Sequence, residues 1–507
     1  MGLIPEVTPH DVHNTALLEN VHPPNWKNPE PAPSYNLVVI GAGTAGLVSA
    51  AGTAGLGGKV ALIEQHLMGG DCLNIGCVPS KTVIRSSRVC ADIYTAEEFG
   101  IQVLKDCLQV DFPKVMERMR RLRARISEHD SAKRFSELGA DVFLGQGRFT
   151  GPGTVEVDGK KLRFKKAVIA SGARAAVPPI PGLVEAGYLT NETVFNLTER
   201  PGRFLVIGGG PLGCELAQAF SRLGCRVTIV QKVPQFLPKE DREAAQILAD
   251  RFTREGIHVC LNTRIERVDR SGNEKLIRLR NDSGEFSVAV DEILVAAGRA
   301  PNVVGLNLEA AGVKYEPGKG VHVNDYLQTT NPHIYAAGDV CLPHKFTHTA
   351  EAAARIVVQN ALFLGRKKVS TLIIPWCTYT DPEIAHVGLH EREAREKGIP
   401  IRTFFVPMAD VDRAIADGEE EGFVKVQVKE GTDKILGATI VARHAGDMIG
   451  EISLAMAANI GLTTISGVIH PYPTQAEAIK RAADGYNRTR LTPFAKKLAT
   501  RWLAWTR

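Results

Sequence analysis

Tyr35-Asn36-Leu37-Val38-Val39-Ile40-Gly41-Ala42-Gly43-Thr44-Ala45-Gly46 is an apolar run of strand length that closes on a glycine-rich turn, and the small residues after it, through Leu56, read as a helix. Each glycine has its own task in such a turn. Gly41 permits the tight reversal, Gly43 lets a pyrophosphate approach the backbone, and Gly46 lets helix pack on strand. The helix N-terminus then presents its amides to the phosphates. A second strand, Lys59 to Ile63, ends at Glu64, an acid about 20 residues further on that can grip a ribose diol. Strand, turn, helix, strand and acid in that order point to a dinucleotide-binding unit; the glycines alone would not.

The pattern then recurs. Phe204-Leu205-Val206-Ile207-Gly208-Gly209-Gly210-Pro211-Leu212-Gly213 leads into a helix through Leu223 and a strand from Arg226 to Val230. Gly208, Gly210 and Gly213 repeat the three tasks, so the chain is expected to hold two dinucleotides. The acid due at the end of the second strand is absent, because Gln231 and Lys232 stand there. A carboxylate would repel a 2′-phosphate and this pair tolerates one, which predicts NADPH with NADH as the other nicotinamide. The plainer reading is that Lys232 points to solvent.

Between the two units lies Gly69-Gly70-Asp71-Cys72-Leu73-Asn74-Ile75-Gly76-Cys77-Val78-Pro79-Ser80-Lys81. On one ideal helix the two cysteines would be at least about 7.5 Å apart, too far for a comfortable bridge. The turn must therefore be distorted, and Gly76 supplies backbone freedom for that. Unrelated core thiols are the bland alternative. A zinc site lacks a second cysteine pair at ligand spacing, and no metal-ligand cluster is expected.

This segment resembles the active-site pattern GG-x-C-x-N-x-G-C-x-P-S-K of the pyridine nucleotide-disulfide oxidoreductases, the flavoprotein family of dihydrolipoamide dehydrogenase, glutathione reductase and mercuric reductase. Every fixed position is present. The resemblance implies FAD in the first nucleotide unit and a redox-active disulfide between Cys72 and Cys77. Cys77 would be the flavin-facing thiolate, Cys72 the interchange thiol, and Lys81 the lysine near the flavin, paired with Glu215. Ala170-Ser171-Gly172-Ala173 matches a turn beside the flavin domain, and Ile293 to Asn302, with Gly298, matches the return from the second nucleotide domain. Asn331-Pro332-His333-Ile334-Tyr335-Ala336-Ala337-Gly338-Asp339 resembles the second flavin motif, which assigns Gly338 and Asp339 to FAD, with a helix after Thr349 beneath the flavin ring.

Thr380 to Gly388 resembles the opening of the family's dimerisation domain, in which each active site takes its acid-base residue from the partner chain. The expected fold class is thus α/β, with two Rossmann-like dinucleotide-binding domains and a C-terminal α+β dimerisation domain. The expected segments are an N-terminal extension (1–34), a flavin domain in two parts (35–185 and 299–369), a nicotinamide domain (186–298), a dimerisation domain (370–480) and a basic amphipathic tail (481–507).

His470-Pro471-Tyr472-Pro473-Thr474-Gln475-Ala476-Glu477 departs from the thiol-disulfide members. There the residue before Pro-Thr is a histidine base oriented by the following glutamate; here it is Tyr472, with Glu477 following. A phenol with a pKa near 10 is a poor base at neutral pH. His470, two residues earlier, would share a face with Tyr472 in an extended segment and could substitute. Mercuric reductases also carry tyrosine at this place, reducing a thiolate-bound metal ion. They also carry a vicinal cysteine pair near the C-terminus, and the last cysteine here is Cys377.

At 507 residues the prior is about three domains. Nine scattered cysteines suit a reducing cytoplasm better than a secreted disulfide scaffold; Cys90, Cys107, Cys214, Cys225, Cys260, Cys341 and Cys377 each stand singly. Residues 1–35 are rich in proline and histidine and lack the pattern of a signal peptide; no run of 18 apolar residues occurs. From Asp111 to Leu138 a helical pattern carries many arginines, expected on a solvated face. The formal charge of +5 gathers at the tail: Lys480 to Arg507 holds eight basic residues and one acidic, so nucleic-acid binding is not expected. Thr492 and Pro493 start a helix on which Phe494, Leu498, Trp502 and Trp505 share one face and Lys496, Lys497 and Arg501 lie largely opposite. Such a helix could contact the inner membrane surface through 493–507, or pack on this chain or its dimer mate.

The leading expectation is a homodimeric reductase passing electrons from NADPH through FAD and the cysteines to a metal ion or small oxidant. Two others stand beside it. One is a membrane-associated diaphorase or quinone reductase in which the cysteines are incidental. The other is a redox-sensing FAD protein with little turnover.

Overall fold

In the computed structural model, which describes residues 6–104, 109–272 and 274–507, Tyr35–Ile40 is a strand buried at every position except Asn36. Such a continuous apolar run is what a parallel strand covered on both faces requires. Cys107, read above as a single thiol, lies outside the described residues. The chain divides into two units, one built from 1–234 and 256–372 and the other from 235–255 and 373–507.

In the first unit, Tyr35–Ile40 lies between the parallel strands Val60–Glu64 and Lys160–Ile169; Ala140–Leu144 adds beyond the former and Ile334–Ala336 pairs with the latter. The register places Ile40 opposite Ile63 and Ile169, and Ala336 opposite Ile169. The strands therefore end together, delivering Gly41, Glu64, Ala170 and the Gly338-Asp339 turn to one edge of the sheet, the edge at which open α/β sheets bind ligands. The helix Thr44–Gly55 packs against the helix Thr347–Leu362 through small side chains, among them Ala45, Ala50, Ala350, Ala353 and Ala354. That second helix starts at Thr347, three residues before the expected start at Ala350.

A four-stranded parallel sheet repeats the design, in the order His258–Cys260, Arg226–Val230, Arg203–Ile207, Glu292–Val295. Ile207 faces Val230 and Val295, so Gly208, Gln231 and the segment leading to Gly298 emerge at a common edge. The fold class matches the expectation of two dinucleotide units.

The arginine-rich stretch does not. The helix Phe112–Ser127 buries Arg120 and Arg123, because the N-terminal extension covers it. Asp11 caps a helix, Val12–Val21, by accepting from the Asn14 amide at 2.8 Å. Arg120 pairs with Asp11 at 2.5 Å. Arg123 donates to Asn14 Oδ1 and to the Asn74 carbonyl, both at 2.7 Å. A solvated face holds for Arg121 and Arg125, which are exposed, and was the wrong reading for Arg120 and Arg123: buried guanidinium groups persist only where fixed acceptors satisfy them, and here those acceptors come from other segments.

The second unit is a five-stranded antiparallel sheet in the order Pro375–Thr378, Glu383–Gly388, Ile435–Ala442, Phe423–Lys429, Ile401–Pro407, carrying the helices Ala445–Ala457 and Glu477–Arg490. It is the α+β component. Its interior holds charge as well as hydrocarbon. Asp241, its side chain 9% exposed, is bonded by Lys425 Nζ at 2.8 Å, by Thr439 Oγ1 at 2.8 Å and by His390 Nδ1 at 3.1 Å.

Candidate active site

Cys72 lies in the short helix Gly70–Asn74 and Cys77 opens the helix Cys77–Tyr94, so Ile75 and Gly76 form the break that the spacing demands. Gly76, at φ −131, is outside the left-handed region. Close approach is what requires it, since a Cβ there would stand 2.7 Å from the Asp71 carbonyl oxygen and 3.3 Å from Cys72 Cα. Asn74 ties the loop by donating to the Met68 and Gly70 carbonyls at 3.0 and 2.9 Å. The folded-back backbone brings the Cys72 thiol near enough to Cys77 to act on its pKa. Cys72 is half-buried and Cys77 exposed.

The pair is electrostatically uneven. The neighbouring Cys72 thiol is the main reason that the Cys77 thiol is pulled down to about 6; Thr347 and the Lys81 ammonium act the same way. The same proximity pushes the Cys72 thiol up. Charge therefore rests on Cys77, at a helix N-terminus that also favours a thiolate. Lys81, one turn along, is 2.7 Å from Glu215 Oε2. Glu215 is buried on the helix Pro211–Arg222, where an unpaired carboxylate would be costly. A cavity of about 410 Å³ beside Cys77 is lined by Lys81, Arg85 and Arg118 among others.

Two neighbours have no sequence signal of their own. Thr347 Oγ1 lies 3.5 Å from Cys77 Sγ. Arg299, next to the expected Gly298, pairs with Asp71 and stands 3.4 Å from Asp339. Asp339 is half-buried, and its desolvation raises its pKa.

The glycines fit the two nucleotides. At Gly41 and Gly208 φ is +102 and +107, and a Cβ would meet the carbonyl oxygens of Ala170 at 2.4 Å and Ala296 at 2.6 Å. A Cβ on Gly46 or Gly213 would lie 1.8 or 2.1 Å from the oxygen of Gly41 or Gly208. Gly43 and Gly210 cap their helices with no side chain, leaving the first amides open to phosphate. Glu64, buried and with its pKa raised by burial, accepts from Ala42 N at 2.6 Å and His66 N at 2.8 Å. Gly338 approaches Ala45 and Ala350, where a Cβ would sit 3.4 Å from each. The Gly172 and Gly298 carbonyls accept from Asn302 and Ala176, both at 2.9 Å. Gln231 accepts from Gly209 N at 3.1 Å, and Lys232 is exposed.

The second unit holds the remaining candidates. The Tyr472 hydroxyl, on a side chain 70% exposed, donates to Asp412 at 3.0 Å, which raises its pKa further. Arg481 joins Asp412 to Glu477, at 3.2 Å from each. His470 is held separately: Nε2 lies 3.0 Å from Glu451 and Nδ1 3.2 Å from the Val468 carbonyl. Tyr472 and His470 thus serve different partners, and Glu451, on the helix Ala445–Ala457, orients the histidine in place of Glu477. Nothing in the local sequence marks Glu451 or Asp412.

Residues 35–355 match the family described as pyridine nucleotide-disulphide oxidoreductase, and residues 374–483 match its dimerisation domain. A mercuric reductase of Staphylococcus aureus is 36% identical over 449 residues, covering 89% of this chain and 82% of that protein. A dihydrolipoyl dehydrogenase of Thermus scotoductus is 33% identical over 464 residues, covering 90% of this chain and 98% of that protein. Among solved structures, the Cu(II) complex of the HOCl-induced flavoprotein disulfide reductase RclA from Escherichia coli superposes with a TM-score of 0.79 at 29% identity, covering 88% of this chain and 98% of that one.

Proposed function

The chain belongs to the pyridine nucleotide-disulphide oxidoreductase family, and from that premise we propose that it uses NADPH to keep the Cys72/Cys77 pair reduced for transfer of electrons to a metal ion or another small oxidant. Membership implies FAD and a nicotinamide, and the dimerisation domain supports a homodimer. FAD, when bound, supplies the two-electron relay between nicotinamide and disulfide. Gly41, Gly43, Gly46, Glu64, Gly172, Gly338 and Asp339 would hold it. Gly208, Gly210, Gly213, Gln231, Lys232 and Gly298 would hold the nicotinamide, with Gln231 and Lys232 tolerating a 2′-phosphate. The six segments drawn from the sequence belong to this proposal.

One observation carries the choice of acceptor: Cys77, at a helix N-terminus beside Thr347, stands five residues from Cys72 in a chain with Tyr472, its hydroxyl held by Asp412, where a base would stand. Closing the disulfide from the Cys72 thiol and the Cys77 thiolate releases two electrons and one proton. An organic disulfide takes up two protons at its sulfurs as it is reduced to thiols, which calls for a base and acid near Cys72. A metal ion does not; thiols lose their protons to solvent on coordination, and the electrons then pass to the ion. Cys72 meets the ion, Cys77 holds the thiolate, and Lys81 with Glu215 fixes the local charge. Tyr472, held by Asp412, lends a hydroxyl and no base. His470 and Glu477 serve to position this segment in the second unit. The mercuric reductase relative and the Cu(II) complex of RclA support a metal-ion acceptor.

The test is anaerobic oxidation of NADPH by the FAD-loaded protein with Hg(II), Cu(II), oxidised glutathione or oxidised lipoamide as sole acceptor. Turnover with a metal ion, abolished by Cys72→Ser, is the expected outcome. Turnover confined to glutathione or lipoamide overturns it. Full activity of Cys72→Ser with a quinone would establish the diaphorase reading, and no turnover with any acceptor the sensing one. No described helix is long and apolar enough to cross a membrane; we place the protein in the cytoplasm, with the C-terminal helix as its route to a membrane surface.

A further inference from the structure

The helix Pro493–Trp505 is made by its own sequence. Thr492 caps it, accepting from Ala495 N at 3.1 Å, and Pro493 occupies its first turn. The preceding helix, Glu477–Arg490, buries Ala478, Ile479, Ala482 and Ala483. This one buries nothing, and every residue from Phe494 to Trp505 except Ala495 is exposed. Phe494, Leu498, Trp502 and Trp505 recur at the spacing of one helical face, with exposures of 77, 60, 59 and 78%. The Trp502 and Trp505 rings meet at a centroid distance of 5.3 Å. Lys496 lies on the opposite arc, Lys497 and Arg501 flank the apolar face, and Arg507 follows the helix.

Packing on the helix's own chain, one alternative read from the sequence, is therefore excluded among the described residues. Charge identifies the occupant. From Gly485 to Arg507 there are six basic residues and no acidic one. A second copy of the helix laid face to face would gather six cations with no carboxylate among them. An anionic surface has the opposite requirement, and paired tryptophans suit the headgroup boundary, where one edge of the ring is wet and the other apolar. Thirteen residues rise about 20 Å, short of a bilayer core of about 30 Å.

We infer that Pro493–Trp505 is an in-plane anchor that lays Phe494, Leu498, Trp502 and Trp505 into a bilayer bearing anionic phospholipid, with the lysines and arginines seated among the headgroups. The reading deepens the membrane contact placed above and is independent of the electron acceptor.

The experiment uses the full FAD-loaded chain with vesicles of phosphatidylcholine, with and without phosphatidylglycerol, followed by flotation and tryptophan emission. Binding to the anionic vesicles only, a blue shift on binding, and release by salt are expected. Trp502→Ser/Trp505→Ser should weaken binding by about tenfold or more. Lys496→Glu/Lys497→Glu/Arg501→Glu should abolish it. Both variants should keep wild-type NADPH oxidation with a water-soluble acceptor, which separates anchor failure from reductase failure. No binding to either vesicle overturns the inference, and so does equal binding to both. A lower oligomeric state of Trp502→Ser/Trp505→Ser in sedimentation equilibrium also overturns it, assigning the face to a second copy.

Discussion

Cys77 collects at one sulfur a neighbouring thiol, a threonine hydroxyl, a lysine one turn along and a helix N-terminus. In the reduced protein, alkylation of Cys77 followed against pH by mass spectrometry should show a midpoint near 6. The thiolate is present above that pH and lost below it, because the folded pKa is depressed. Cys72→Ala should raise the midpoint further than Lys81→Met does, since the Cys72 thiol is the larger cause. A midpoint at about 8.5 in the wild type would refute the arrangement. At Tyr472 the expectation is small. Because its hydroxyl holds its proton firmly, Tyr472→Phe should cost less than tenfold in turnover with a metal ion, against about a hundredfold or more for a true general base. Steady-state rates decide it.

At the scale of elements, the two nucleotide turns are built alike but carry different loads. Gly213→Ala forces a Cβ against the Gly208 carbonyl at 2.1 Å and should remove NADPH binding, by calorimetric titration, while the protein stays yellow with FAD. Gln231→Glu/Lys232→Glu should reverse the preference toward NADH by about tenfold, read as the ratio of kcat/KM values, because a carboxylate there repels a 2′-phosphate. Elements also mark where the sequence was readable. The strands, turns and helices of both units follow from apolar runs and glycines within about 30 residues of each other. The helix Phe112–Ser127 was legible as a helix. Its buried arginines were not, because a face covered by charge-accepting groups from residues 11–14 has the same composition as a face covered by water.

Across the molecule, the second unit keeps a carboxylate in its core. Burial alone would raise the pKa of Asp241, but His390 and Lys425 hold it far below the carboxylate range. The stabilisation is present above the ordinary aspartate value and is lost as pH falls through the depressed one. Asp241→Ala leaves Lys425, 4% exposed, without one of its two carboxylates, and should cost about 3 to 5 kcal/mol. Scanning calorimetry should show the lost stability as a lower transition temperature at neutral pH, with a smaller further loss in acid than the wild type suffers. Equal losses for variant and wild type in acid would remove Asp241 from the acid response.

The sequence by itself determined the two dinucleotide turns, the Cys72/Cys77 segment and the amphipathic last helix, because each depends on backbone shape and side-chain spacing within a few residues. Only the tertiary structure decided which groups surround the thiols. Thr347 comes to Cys77 from 270 residues away, and Arg299 reaches Asp71 across 228. His470 takes Glu451 and not Glu477. It also decided that the last helix stays uncovered while the helix before it is buried. Those outcomes depend on which strands end together at a sheet edge and which faces find a neighbour, and spacing along one chain carries neither.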